Sequence, residues 1–362
     1  MCIYVFVIVI FTFLSILFSS YGNKTKNKKI YLFFVFTVLS LIAGLRSENV
    51  GIDTKQFTTA FDYISLNPIS KISTYRYEYG FSFLCWILGK IFSSHQALIF
   101  FTSIFINFSI LKFIYKNSEN VYLSTLLYIF GNFYFDYMNV MRQAIAIAII
   151  LLGFEKLKEN KNAIFAVYVF VASMFHSSAI ITLILILVKK LRFNKKTIFI
   201  VLIFSLVSAI YGRNFFVLLS SFSERLAGYI GSEYDVTNFF GALINAIIYI
   251  CSLIFGVFII SKNNKEILYE KKNINNTILG IISLAVIFSF LIMRVNIFNR
   301  FSFYFTIFNI IWLPNTISFL NNAKDRLLVN TLIYSLFLTF FITVSLNRPE
   351  WTGAIPYRFY WN

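Results

Sequence analysis

Residues 139–178 read NVMRQAIAIAIILLGFEKLKENKNAIFAVYVFVASMFHSS, and this stretch decides the fold. A hydrophobic run opens on Arg142-Gln143 and closes on Lys156 and Lys158. After a lysine-rich turn a second apolar run begins, and it is broken at Phe175-His176-Ser177-Ser178. Ionisable residues at the ends of apolar segments are costly in a membrane and mark function there.

The surrounding chain has the same character. Its 362 residues are 59% hydrophobic, 20% aromatic and only 13% charged, with a mean hydropathy of +0.76. Apolar runs of roughly 17–25 residues between short polar turns predict transmembrane helices. The spans expected are 3–19, 30–45, 97–115, 121–138, 141–157, 197–211, 241–261, 276–293, 301–319 and 328–346. The chain therefore reads as one all-α polytopic membrane domain, 1–362, of about ten full spans, with no soluble module. Two stretches differ. Residues 81–94 are short and carry Lys90, which predicts a re-entrant or interfacial segment. Residues 163–188 have basic residues on both flanks, which predicts a hairpin of two short helices with its tip at Phe175-His176.

The net charge of +17 fits loop lysines facing an anionic leaflet better than nucleic acid. With the N-terminus outside, 18 lysines and 2 arginines fall on the cytoplasmic side. The outer side receives 3 lysines and 9 arginines: Lys55, Lys71, Lys90, Arg46, Arg76, Arg142, Arg213, Arg225, Arg294, Arg300, Arg348 and Arg358. Arginine is preferred where a planar fork must grip phosphate or carboxylate. The outer face therefore reads as the anion-binding face, with loops 46–80 and 212–240 forming part of the substrate site.

Cys2, Cys85 and Cys251 each lie in an apolar run and build neither a disulfide framework nor a metal set. Two histidines, His95 and His176, make a histidine-based metal site improbable. There is no Walker pattern and no carboxylate pair with metal spacing, so no cofactor is expected.

The candidate residues follow from position. Arg46 ends the second span, and Gly51 permits a tight turn before Asp53, although a snorkelling arginine and an ordinary turn would read the same way. Glu78 is a second outer carboxylate. Asn139 is a candidate N-cap that places Arg142 in the first helical turn, with Gln143 beside it. An arginine there opposes the helix dipole, so it calls for a bound anion or an ion pair, with Asp136 the nearest carboxylate. His176 at the hairpin tip borders serines and can act as general base or hydroxyl ligand. Arg294 and Arg300 bracket a short turn, as a diphosphate clamp or as headgroup anchors. Loop 212–240, with Arg213, Glu224, Arg225, Tyr229, Glu233, Tyr234 and Asp235, suits a sugar-binding lid or a solvated loop.

In this order, Arg46 with Gly51-Ile52-Asp53-Thr54, Glu78-Tyr79-Gly80, Arg142-Gln143-Ala144-Ile145-Ala146 and Phe175-His176-Ser177-Ser178 resemble the EpsG branch of the Wzy polysaccharide polymerases. Val50-Gly51-Ile52-Asp53-Thr54 departs from the family's usual Gly-Thr-Asp-Thr. The resemblance implies polymerisation of O-antigen or capsular repeat units on undecaprenyl diphosphate, at the outer face of the bacterial plasma membrane, without nucleotide or metal. It implies donor and acceptor lipid-linked oligosaccharides as substrates, and a flippase and a chain-length regulator as partners. Arg142, Arg294, Arg300 and Arg46 would then meet the diphosphate, and Asp53, His176 or Glu78 would take the acceptor's proton. Gln143, Gly51 and Asn139 would support them. A flippase for the same lipid, a membrane acyltransferase and an O-antigen ligase are the rival readings.

Overall fold

The computed structural model describes residues 2–20, 25–193, 195–222, 224–232, 235, 237, 239–262 and 269–361. Glu233 and Tyr234 of the expected lid lie outside them, as does Lys24. Among the described residues the chain is helical, apart from one antiparallel bridge between Arg46 and Phe359.

In chain order the helices are α1 (Cys2–Ser20), α2 (Thr25–Gly44), α3 (Thr54–Leu66), α4 (Tyr79–Ile91), α5 (Gln96–Asn117), α6 (Val121–Phe130), α7 (Phe133–Asn139), α8 (Met141–Lys158) and α9 (Asn162–Ser173). They continue with α10 (Ile184–Val188), α11 (Lys195–Ser220), α12 (Glu224–Ala227), α13 (Phe239–Lys262), α14 (Tyr269–Ile292), α15 (Asn299–Thr306), α16 (Asn309–Ile317), α17 (Ala323–Asn347) and α18 (Pro349–Thr352). Short 3₁₀ turns occupy Ile69–Thr74, Ser177–Leu183 and Asn296–Phe298. Seven helices, α1, α2, α5, α11, α13, α14 and α17, are long and apolar enough to cross a membrane, and the protein is a multi-pass, all-α membrane protein.

Three of the expected spans differ in form. The run 121–138 breaks at Gly131-Asn132, where Asn132 adopts φ 65° and ends α6. The run 301–319 divides into α15 and α16. The run 141–157 forms α8, whose Arg142, Glu155, Lys156 and Lys158 make it too charged to stand with the seven.

Two other segments are more helical than expected. Loop 46–80 contains α3, because Thr54, Phe57, Thr58, Phe61 and Ile64 recur at helical spacing and bury one face. Pro68 follows its end. Loop 212–240 begins inside α11, since the apolar run Phe215 to Leu219 has no helix breaker. By contrast, 81–94 and 163–188 match their sequence reading in length and in break. At about 1.5 Å per residue, the 13 residues of α4 span about 20 Å, short of a hydrocarbon core of about 30 Å. The second apolar run of the opening stretch stops at Met174-Phe175-His176 between α9 and a 3₁₀ turn.

Two compact units result, Met1–Ile180 with Ala323–Asn362, and Ile181–Asn322. In the first, α5 packs on α2 and α8, α8 on α9, α3 on α4, and α17 on α6. Aromatic contacts tie the ends of the chain to its middle: Tyr4 stacks on Phe135 at 4.7 Å and on Phe341 at 5.8 Å. Thr12 Oγ1 and Tyr334 OH meet at 2.9 Å.

In the second unit α14 packs against α11, α13 and α15, and α16 against α13. Trp312 of α16 is fully buried and donates its indole N–H to Ser252 O at 2.9 Å. It can lie there because α13 carries Gly256, where a Cβ would stand 2.0 Å from Trp312 Cζ2. The turn after α10 is pinned by Asn276 of α14, whose Oδ1 accepts the Phe193 N–H at 2.8 Å. Only 11% of the α17 span and 22% of the α1 and α11 spans are buried, which leaves apolar faces for lipid.

Candidate functional site

The first unit brings together side chains far apart in sequence. Glu78 occupies the N-cap position of α4 but does not cap that helix. Its carboxylate reaches across to Arg142 of α8 in an ion pair, while its second oxygen accepts the Ser177 N–H at 3.2 Å. The sequence separations are 64 and 99 residues. Gly80 N–H donates to Met174 O at 2.7 Å, fixing the start of α4 against the break after α9. The ion pair recorded for Arg142 is thus with Glu78 and not with the sequence-near Asp136. Glu78 supplies the negative charge that an arginine in a first helical turn requires.

An aromatic box surrounds the guanidinium. Its carbon lies 4.8 Å from the ring centre of Tyr77, 5.4 Å from Phe57 and 5.8 Å from Phe81. The three rings pack edge-on against one another at 5.5–6.2 Å. Such contacts stabilise a cation by about 0.5–2 kcal/mol and hold its plane. The pair is secluded, with the Arg142 side chain 18% and the Glu78 side chain 10% exposed. Burial works to raise the Glu78 carboxyl. Arg142, the Ser177 N–H and the field of His176 outweigh it, so the group is held below the usual carboxylate range.

His176 is buried in the break after α9, and its Nδ1 lies 2.6 Å from Ser178 Oγ. Because the adjoining Ser177 donates its N–H to Glu78, the Phe175-His176-Ser177-Ser178 and Glu78-Tyr79-Gly80 segments belong to one cluster with Arg142.

The loop after α2 is organised around Arg46 and Asn139. Arg46 is 1% exposed. Its guanidinium donates to Ala43 O, to Ser103 Oγ at 3.1 Å and to Met138 O at 3.1 Å. Asn139 is the last residue of α7, and Val140 stands at the N-cap of α8. The expected capping role of Asn139 is therefore replaced: its Oδ1 accepts the Ile52 N–H at 2.8 Å. Gly51 (φ 100°) and Gly353 (φ 58°) both back onto that oxygen, and Gly51 N–H donates to Gly353 O at 2.8 Å. An L side chain at either position would be strained. Asp53 stands half-buried at the N-cap position of α3. Gln143 is buried beside Arg142.

The C-terminal segment completes this arrangement, a role the sequence does not announce. Ser47 N–H donates to Arg358 O at 2.9 Å, Tyr360 N–H to Leu45 O at 3.0 Å, and Tyr357 OH to Ile42 O at 2.5 Å. The aromatic C-terminal tail is a strap over the Arg46–Gly51 loop. Residues also missed in the sequence are Phe57, Tyr77 and Phe81, although the aromatic flanks of Glu78 are visible in Tyr77-Glu78-Tyr79-Gly80-Phe81.

Arg294 and Arg300 belong to the second unit. Arg294 is exposed and donates through Nε to Ala209 O. Arg300 donates to Tyr229 OH at 2.7 Å, with its guanidinium 5.1 Å from that ring's centre. Arg213 and Asp235 form a two-pronged pair at 3.1 Å.

The EpsG family model matches residues 29–359. The chain belongs to the EpsG family. The match takes in every segment of the cluster and reaches the strap over the Arg46 loop. Comparison with curated proteins and with solved structures gives no match. Membership supports a polysaccharide-polymerase-like role in the broad sense, carried out by a multi-pass membrane protein.

Proposed function

We propose that this EpsG-family protein joins lipid-diphosphate-linked oligosaccharide repeat units, with undecaprenyl diphosphate as carrier, on the extracytoplasmic face of the plasma membrane. The observation that carries the reading is the meeting of Glu78, Arg142 and His176, drawn from three separated segments into one secluded cluster.

In this reading a hydroxyl of the acceptor glycan attacks the anomeric carbon of the donor glycan. A new C–O bond forms there, and the bond from that carbon to the diphosphate oxygen breaks with its electron pair. His176 accepts the hydroxyl proton. With Nδ1–H donating to Ser178 Oγ, Nε2 carries the lone pair. Glu78 stays ionised and favours the imidazolium that results. This makes it an orienting anion and a weak base. Asp53 is the other proton acceptor, at the edge of the Gly51 turn. Charge developing on the diphosphate needs fixed cations, and the reading assigns that work to Arg142, with no metal or nucleotide. Arg46 is enclosed by its own helices, which assigns it to positioning the loop and not to the diphosphate. Gly51, Asn139 and Gln143 support that positioning.

The test is complementation of a strain lacking the gene, read as glycan ladders on a gel. Arg142→Ala and His176→Ala are expected to collapse the ladder to a single repeat unit, with that unit still exported. Normal ladders from both variants would refute the assignment. Lipid-linked repeats trapped inside the cell would transfer the function to a flippase.

A further inference from the structure

Arg46 brings a positive charge into the interior of its bundle, and no carboxylate among the described residues pairs with it. Its three acceptors are two backbone carbonyls, Ala43 O and Met138 O, and the Ser103 hydroxyl, while Nε has no partner at all. Burial lowers its pKa to about 10, so the guanidinium is still protonated at neutral pH. A buried charge of this kind is strongly unfavourable unless something compensates it.

Beside it lies a small void. Its polar lining includes Arg46, Thr102, Ser103, Asn107, Tyr128, Tyr134 and Tyr137, all of them buried. The centre of a water-sized sphere has about 10 Å³ to move in, room for one particle of about chloride size. The hydrogen-bond accounts of the wall are uneven. The Asn107 side-chain oxygen is taken by Tyr128 OH at 3.1 Å, and Asn107 Nδ2 donates to Ser103 O at 3.0 Å. Thr102 donates to Leu98 O at 2.6 Å. Among the wall's donors the Arg46 Nε–H has no partner, and the Ser103 hydroxyl, which accepts from the Arg46 guanidinium at 3.1 Å, donates to no acceptor among the described residues. A water accepts from such donors but leaves the charge of the guanidinium uncompensated. An anion satisfies the donors and the charge together.

We propose that this cavity is a binding site for one small monovalent anion of chloride size, held by Arg46 and Ser103 as the internal counter-ion of the α2–α5–α7 junction. The site is independent of the glycan chemistry proposed above. Its placement nevertheless matters to that chemistry. Arg46 grips Met138 O, the adjoining Asn139 holds Ile52, and Arg142 follows three residues later. An occupied cavity therefore fixes the junction on which two of the motif segments meet.

Radiolabelled chloride binding to the purified full chain tests this directly. Saturable binding of one ion per chain is expected, competed by bromide and not by gluconate or sulfate, which are too large. Ser103→Val keeps the guanidinium and removes one donor, and is expected to weaken binding about tenfold. Arg46→Met is expected to abolish it. Replacing chloride with gluconate at constant ionic strength should lower the wild-type Tm by roughly 2–4 °C. Absence of saturable chloride binding to the wild-type chain overturns the proposal without recourse to any variant. Binding that survives both Ser103→Val and Arg46→Met equally overturns it, by placing the ion elsewhere.

Discussion

Replacing Arg142 with methionine separates the ion pair while keeping most of the apolar contact with Phe57, Tyr77 and Phe81. Glu78, 10% exposed in its side chain, is left with its Ser177 N–H and no counter-charge. Breaking a buried pair from one side costs about 3–5 kcal/mol. The lost cation–ring contacts lie within that sum. The lower end applies, because the abandoned carboxyl can take up a proton, so about 3 kcal/mol is expected. At roughly 2–4 °C per kcal/mol, Tm falls by roughly 6–12 °C. Glu78→Gln alone should cost about 1–2 kcal/mol. The double variant should be more stable than the sum of the two single losses predicts, by about 1–3 kcal/mol. Thermal unfolding of the four proteins in detergent, followed by intrinsic fluorescence, measures this coupling. The pH dependence adds a sign. The folded Glu78 pKa lies below its ordinary value of 4.5, so its contribution is complete above about pH 4.5 and is lost as pH falls through the folded value. In Arg142→Met burial is unopposed by the guanidinium and lifts the carboxyl, so that its favourable contribution is lost as pH rises. Losses that simply add, within about 0.5 kcal/mol, with no change in pH slope, would refute the pairing.

Gly353→Ala places a Cβ 2.6 Å from Ile52 Cγ1 at φ 58°. It should cost about 1–3 kcal/mol and expose the C-terminal strap to limited proteolysis; removal of the chain after residue 352 should abolish polymer while leaving the protein in the membrane fraction. Gly256→Ala drives a Cβ to 2.0 Å from Trp312 and should lower stability by about 1–3 kcal/mol, with Trp312→Phe restoring part of the loss in the same thermal assay. Arg213→Ala removes a pair whose arginine is 57% exposed, and the change in stability should stay below about 1 kcal/mol.

Hydropathy made the long spans legible because each is apolar for most of its length. It also located the stop at Phe175-His176, where basic flanks on both sides argue against a single span. The same logic was blind at Gly131-Asn132 and at Ile307-Phe308, since the apolar run continues through both breaks and a window average cannot see a single left-handed residue. The motif residues were legible one by one, but their partners were not. Asp136 was the nearest carboxylate to Arg142 in sequence, whereas tertiary packing delivered Glu78 from 64 residues away. Arg46 read equally well as snorkelling to headgroups, because a sequence does not say which side of a helix end faces the bundle. The strap was hidden for a related reason: its contacts with residues 42–51 run largely through backbone groups, which leave no signature in residue type.

The central claim is glycosyl transfer between two lipid-linked repeat units, and the most direct measurement uses the purified protein with a defined lipid-diphosphate repeat unit in detergent, without nucleotide. Oligomers of two and more repeats, with one lipid diphosphate released per bond formed, are predicted for the wild type, and neither product for His176→Ala. Repeat units that stay monomeric with the wild-type chain, or that cross a vesicle bilayer unextended when it is reconstituted, would contradict the account.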